Sequence, residues 1–235
     1  MQNFGAAFGL AFHLILSGDA NLMEIVLLSL RVSFSALFLS CLIGFPLGAV
    51  LVVRRFPGRG VVVAILNAAM GLPPVVVGLS VYLLLSRAGP MGWLGLLYSP
   101  TAMIIAQTIL IAPIVAALAR QVLESLNTEY DEQFRSLGVG RMRGAWTLIV
   151  DGRYALVTVA LAGFGRAVAD VGAVIIVGGN INHLTRVMTT AIALETSKGD
   201  LGMALALGII LISFALGVNL AAGGLRAMAE RQAYA

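Results

Sequence analysis

The chain has 235 residues, 60% of them hydrophobic and 11% charged, against about 25% charged in soluble domains. Its net charge of +4 is too sparse, and its basic residues too scattered, for a nucleic-acid surface. The single cysteine, Cys41 in an apolar run, excludes an internal disulfide and a Cys-rich metal centre. What remains is an all-α polytopic membrane protein with little mass outside the bilayer. Its 27 glycines and seven prolines fit, since both residues are commoner in membrane helices than in soluble ones.

In chain order, residues 1–20 hold a short apolar run, 4–17, ended by Ser17-Gly18-Asp19. It lacks the basic start and A-x-A-like end of a cleavable signal. It is also shorter than the roughly 20 residues a span needs. An interfacial or elbow helix is expected there, with a sixth crossing as the alternative, and His13 reads as a packed or interfacial residue. The membrane domain, 21–228, carries five expected spans at about 22–53, 61–86, 101–120, 154–178 and 201–225, and a tail follows at 229–235. Arg54, Arg55 and Arg59 fill a tight turn with Pro57 and Gly58 after the first span. The second span contains Pro73 and Pro74, which must break its hydrogen-bond ladder. Such a break at membrane depth requires surrounding protein or a watery cavity, so the pair is a candidate gate or a structural kink. Pro113 predicts a second kink in the third span. Trp93 and Tyr98 read as interface anchors.

Between the third and fourth spans lies the one long polar passage, 123–153, with Glu124, Glu129, Asp131 and Glu132 followed by Arg135, Arg141, Arg143 and Arg153. It is too long for a simple connection, which points to a soluble partner gripping it. With five spans, one side of the membrane receives Arg54, Arg55, Arg59, Arg120, Arg135, Arg141, Arg143, Arg153, Arg226 and Arg231. The other receives Arg87, Arg186 and Lys198. The positive-inside rule therefore puts the polar passage and the carboxyl end in the cytoplasm.

Within the fourth span, Arg166 and Asp170 stand at i and i+4, so a continuous helix would show them on one face. Arg166 would lie roughly 18 Å along that helix from Tyr154, at a depth where a lone charge is normally paired or faces water. The two are candidates for the pathway or gate, and equally for a mutually neutralised pair. Asn180, Thr185, Arg186, Thr189 and Thr190 offer amide, hydroxyl and guanidinium donors for an oxyanion at an outer mouth; an ordinary docking loop is the alternative. Gly163, Gly165, Gly172 and Gly178 suit close helix packing. No Walker A, HExxH or Ser/His/Asp constellation is present, no metal ligand set is expected, and Gly138-Val139-Gly140 lacks the strand that a dinucleotide fold places before its glycines.

Glu132-Gln133-Phe134-Arg135-Ser136-Leu137-Gly138 resembles the EAA loop of ABC-importer permeases, with Gln133 and Phe134 in place of two alanines and Val150-Asp151 in place of a following Leu-Pro. The stretch 71–107 is similar to molybdate and tungstate permeases, as is GFGRAVADVGAVIIVGGNI at 163–181. TRVMTTAIALETSKGD at 185–200 resembles the tungstate branch. The resemblance implies a type I ABC-importer permease fold: five core transmembrane helices plus the amino-terminal helix, in a bacterial or archaeal cytoplasmic (inner) membrane. It implies a short coupling helix carrying Glu132, Gln133, Phe134, Arg135, Leu137, Gly138 and Gly140, seated in a cleft of an ATP-binding cassette ATPase. The bulkier Gln133 and Phe134 would need a wider pocket there. It also implies a second copy of this chain and an extracytoplasmic tungstate-binding protein, with ATP and Mg bound by the ATPase and no cofactor or catalysis here. Molybdate or sulfate remain alternative cargoes. An ATP-independent secondary anion transporter is the alternative class, although no internal repeat of the kind such proteins carry is visible. A membrane-embedded enzyme would need a cluster of His, Cys or carboxylates that this chain lacks.

Overall fold

The computed structural model describes residues 4–54 and 56–233. Arg55 of the basic turn and the extreme ends of the expected elbow and tail lie outside the described residues, as do the side chains of Arg226 and Arg231. The described residues form helices and no strand. Among the described residues, three helices are long and apolar enough to cross a bilayer: α2 (Ala20–Val53), α5 (Pro100–Ser136) and the Leu201–Ala221 part of α10 (Leu201–Ala233). Two bent pairs bring the number to five if each makes one crossing: α3 (Arg59–Ala69) with α4 (Pro74–Leu85), and α6 (Arg141–Asp151) with α7 (Arg153–Ala169).

Local chemistry sets the boundaries. α1 (Phe4–Ser17) stops because Gly18 turns left-handed at φ 63°, and Asp19 then caps α2, its Oδ1 accepting the Leu22 amide at 2.9 Å. Pro57-Gly58 makes the expected turn, Gly58 at φ 89°. α3 gives way before the proline pair: Pro73 is extended and Pro74 opens α4, where a missing amide proton costs nothing. Pro46 and Pro113 sit inside helices that continue past them. α5 runs 37 residues, about 55 Å, long enough to cross the hydrocarbon with several turns to spare. The fourth expected span is not one helix. α7 ends at Ala169, and α8 (Gly172–Gly178) restarts after a break at Asp170-Val171.

The chain gathers into two compact units. The first takes residues up to Ala36, Pro73–Gln107 and Arg166–Gly217. Inside it α4 lies directly on α8: a Cβ on Gly78 would stand 2.8 Å from the Ala173 Cα, and one on Gly172 would stand 2.8 Å from a Val75 methyl. α1 buries Ala7 and Ala11, while its Leu10 covers Gly202 at the start of α10 and Leu16 stays 85% exposed. The second unit takes Leu37–Leu72, Thr108–Gly165 and the chain from Val218. Its core is Ala49, Val52, Ala119, Leu123, Ala145, Leu148 and Leu156, which joins the end of α2 to α5, α6 and the start of α7. Gly44 and Gly48 let α2 meet α5 closely, since an added Cβ would stand 3.0 Å from the Ala116 amide or 2.9 Å from that of Arg120.

Candidate functional sites

The first candidate site is the polar end of the second unit. Glu132 to Ser136 form the last turn of α5 rather than a helix of their own, and the separate short helix is α6, three residues after Gly138. The reversal between them is a Schellman motif: Val139 N–H donates to the Phe134 carbonyl at 2.9 Å and Gly138 N–H to the Arg135 carbonyl at 3.2 Å. Gly138 holds φ 63°, and a Cβ there would touch nothing within 4 Å. The glycine is required by backbone conformation and leaves open space around it. Gly140 is extended and precedes α6, its carbonyl accepting the Gly144 amide at 3.0 Å.

Side chains on this end divide cleanly. Glu132, Gln133, Arg135, Leu137 (77% exposed) and Gly138 face outward, with Arg135 paired to Asp131 at 2.7 Å. Phe134 turns inward. Its ring meets Tyr130 edge-on at 5.7 Å between centroids and covers Gly144, which joins it to the second unit's core. Phe134 is half-buried against this chain's own core and also lines the open cavity beside the turn, while Gln133 is the replacement that stands fully outside. Between the end of α2, the last turns of α5 and the start of α6 lies an open cavity of about 540 Å³, lined by Asn127, Asp131, Arg135 and Arg141 among others. Below it Glu124 accepts from two arginines, Arg59 Nη2 at 2.9 Å and Arg120 Nη1, while Arg59 Nε donates to the Leu51 carbonyl at 2.6 Å. Sequence reasoning counted these arginines for orientation only. The i, i+4 spacing of Arg120 and Glu124 was the available signal for their pairing.

The second candidate lies in the first unit, around the break between α7 and α8. Asp170 is 5% exposed and Arg166 is exposed, and they make no ion pair, because the helix that would have aligned them ends between them. Asp170 instead borders a small cavity with Ser29, Ser33, Gln107 and Thr189. Gln107 Nε2 donates to the Ala167 carbonyl at 3.0 Å, and Thr189 Oγ1 to the Asp170 carbonyl at 2.9 Å. The Met188 amide donates to Ser29 Oγ at 2.7 Å. Gln107 and Ser29 were missed from sequence; a polar residue inside an apolar run was the signal.

The donors expected at an outer mouth are engaged within this same unit. Thr185 is fully buried; its hydroxyl donates to the Gly178 carbonyl at 2.6 Å and accepts the Ile181 amide at 2.9 Å. Asn180, at φ 51°, reaches the Thr190 carbonyl at 3.5 Å, and Thr189 serves Asp170 as described. Arg186 Nη1 donates to Asn182 at 2.8 Å. Asn180 and Thr185 thus hold the turn after α8, Thr190 caps the start of α9 (Met188–Lys198) through Val187, Thr189 serves the α7–α8 break, and the guanidinium of Arg186 is the one charged donor among the five.

Residues 40–227 match the family model described as binding-protein-dependent transport system inner membrane component. The chain is 40% identical over 210 residues to a probable anion ABC transporter permease protein of Haloferax volcanii, a match covering 86% of this chain and 90% of that one. It is 36% identical over 219 residues to the tungstate uptake system permease protein TupB of Peptoclostridium acidaminophilum, covering 93% and 96%. It is 30% identical over 203 residues to the molybdenum transport system permease protein ModB of Escherichia coli, covering 82% and 87%.

Proposed function

The chain belongs to the binding-protein-dependent transport system inner membrane components, a family of multi-pass membrane permeases, and from that premise we propose that it forms the pore of an ATP-driven importer of tungstate. The observation that carries this reading is its similarity to a tungstate permease along 96% of that protein's length. The more distant likeness to a molybdenum permease makes molybdate the first competitor.

In this reading two copies enclose the pathway, ATP-binding cassette subunits supply ATP and Mg chemistry, and an outer binding protein delivers the anion. The ATPase seats on the outward face of the α5–α6 turn, on Glu132, Gln133, Arg135, Leu137, Gly138 and Gly140, in the cytoplasm. Phe134 anchors that turn from behind. A push on the turn has a stiff route inward, because the same residues end a helix that is continuous from Pro100. The Arg59–Glu124 ion pair ties that helix to α3, and Arg59 Nε, donating to the Leu51 carbonyl, ties α3 in turn to α2. Pro73, Pro74, Arg166 and Asp170 mark breaks and charges along the crossing segments and are assigned to the pathway or gate. At the outer mouth, Arg186 is the residue assigned to meet the anion, with Asn180, Thr185 and Thr189 shaping the turn that holds it.

The test is uptake of labelled tungstate against molybdate and sulfate by the complete complex in vesicles, with and without ATP. Tungstate uptake that needs ATP is expected. Equal uptake without a co-purifying ATPase would assign the chain to a secondary transporter instead. Gly138→Trp puts a large side chain on the docking face, where a Cβ meets nothing of this chain, and is expected to abolish uptake while leaving the protein in the membrane. Unchanged uptake at equal expression would refute the coupling assignment.

A further inference from the structure

The end of α2 and the outer side of α6 leave a surface that this chain does not cover. α6 buries Gly144, Ala145 and Leu148 on one side. On the other it exposes Met142, Trp146 and Val150, spaced four residues apart and so aligned as a second apolar stripe. Between Met142 and Trp146 on α6 and Pro46, Ala49 and Val50 on α2 runs a groove of about 670 Å³. Beside it, sharing Val50 and Met142, opens a hollow of about 420 Å³ that Arg54, Phe56 and Arg141 line.

The hollow is basic and its charge is unanswered. No carboxylate lines it or the groove among the described residues. Arg54, Arg141 and Arg143, the last bordering the groove, take part in none of the ion pairs among those residues. The carboxylates at this end are engaged elsewhere, Asp131 with Arg135 and Glu124 with Arg59 and Arg120.

An occupant must therefore bring a negative charge to the arginines and an apolar chain to the groove. The groove follows α2 from Arg54 back to Pro46, roughly 12 Å along the axis of a membrane-spanning helix, so it leads from the surface into hydrocarbon. A soluble partner does not reach that depth. A second copy packed two-fold on the same patch would set these arginines against their own counterparts. We propose that the α2–α6 surface is a binding site for an anionic phospholipid, its phosphate held by Arg54 and Arg141 and one acyl chain laid between Val50 and Trp146. Arginine suits a phosphate oxygen pair, and an indole suits the boundary between headgroup and acyl chain. The lipid then bridges α2 to the helix that starts directly after Gly138–Gly140. Neither the anion carried nor the partner at that turn enters the argument.

The experiment titrates the purified permease–ATPase complex with dioleoylphosphatidylglycerol or dioleoylphosphatidylcholine and counts bound lipid by native mass spectrometry. One phosphatidylglycerol per chain is expected to bind at least tenfold more tightly than phosphatidylcholine. Arg54→Gln and Arg141→Gln should each weaken it about fivefold, and the pair about thirtyfold, the attraction of one basic residue near an anionic lipid counted once and twice. Both arginines are exposed and unpaired, so neither change should disturb folding. Val50→Trp fills the groove and should weaken both lipids. Equal binding of the two lipids overturns the proposal, as does a preference that survives the double substitution or binding that Val50→Trp leaves unmoved. A photoreactive p-benzoylphenylalanine in place of Trp146 reads the occupant directly in proteoliposomes. A lipid adduct is expected; an adduct with the ATPase or with a second copy of the chain assigns the groove to that protein and overturns the lipid site.

Discussion

The two units handle polar groups in opposite ways. At the polar end of the second unit, charges sit in or near solvent: Arg135 is 69% exposed and Glu124, 42% exposed, bridges two arginines. In the first unit, the polar side chains around the breaks are buried and bind backbone: Thr185, Thr189 and Gln107 reach main-chain carbonyls there, and Ser29 accepts the Met188 amide where α9 begins. The reason lies in where the backbone is interrupted. An interruption at membrane depth leaves amides and carbonyls that water does not reach, so nearby side chains must satisfy them. An interruption at the end of a long helix needs only a Schellman turn and a glycine. The first arrangement builds a framework with fixed joints; the second builds a surface free to meet something else.

The largest difference should come from one substitution made in both places. Thr185→Val removes a hydroxyl that serves the Gly178 carbonyl and the Ile181 amide in a fully buried turn, leaving two groups unpaired at about 1–3 kcal/mol each. Thr128→Val removes a hydroxyl that donates back to the Glu124 carbonyl of its own exposed helix turn, a bond of little worth there. Thermal unfolding in detergent should show a large drop in Tm for the first and almost none for the second. Equal drops would erase the contrast between the units.

A middle-sized effect is expected from Glu124→Ala. It leaves Arg120, 14% exposed and with its Nε already lacking a partner, beside Arg59 with nothing between them. The loss should be about 1–2 kcal/mol, partly screened because the group is half in solvent. The restoring experiment is Glu124→Gln, which can still accept from one arginine and should recover part of the Tm.

What the sequence shows of these regions follows the same division. Composition and the spacing of apolar runs suffice for an all-α membrane protein, and the turn at Pro57-Gly58, the break at Pro73-Pro74 and the end of α1 at Ser17 are written in residues whose backbone preferences are strong. The family expected from Glu132–Gly138 and from 163–181 is the one whose model matches residues 40–227. The break at Asp170 was not legible. Its residues, Ala169, Asp170 and Val171, carry no proline, and the following glycine is as common in a packed membrane helix as at a break. With the break unseen, Arg166 and Asp170 were placed on one face, and the roles of Ser29 and Gln107, which come from distant parts of the chain, had nothing to point to them. The inward turn of Phe134 was equally hidden, because a helix end alone does not say which of its sides meets a core.

Arg135→Ala should have the smallest effect on stability and is the sharpest probe of the outward face. Its guanidinium pairs with Asp131 one turn earlier on the same helix, an arrangement worth about 0.3–0.5 kcal/mol when exposed. Unfolding temperature should therefore stay within error of the wild type. Phe134→Ala, one residue away, removes a half-buried ring from the core and should lower it measurably. If the outward face meets an ATPase, Arg135→Ala lowers ATP-driven uptake and weakens co-purification of that subunit while the permease remains as stable as before, and the difference from the wild type narrows as salt is raised, because screening weakens the contact that only the wild type makes. A variant that loses stability and uptake together would place Arg135 in the framework, and one that loses neither would leave the surface around it without a partner.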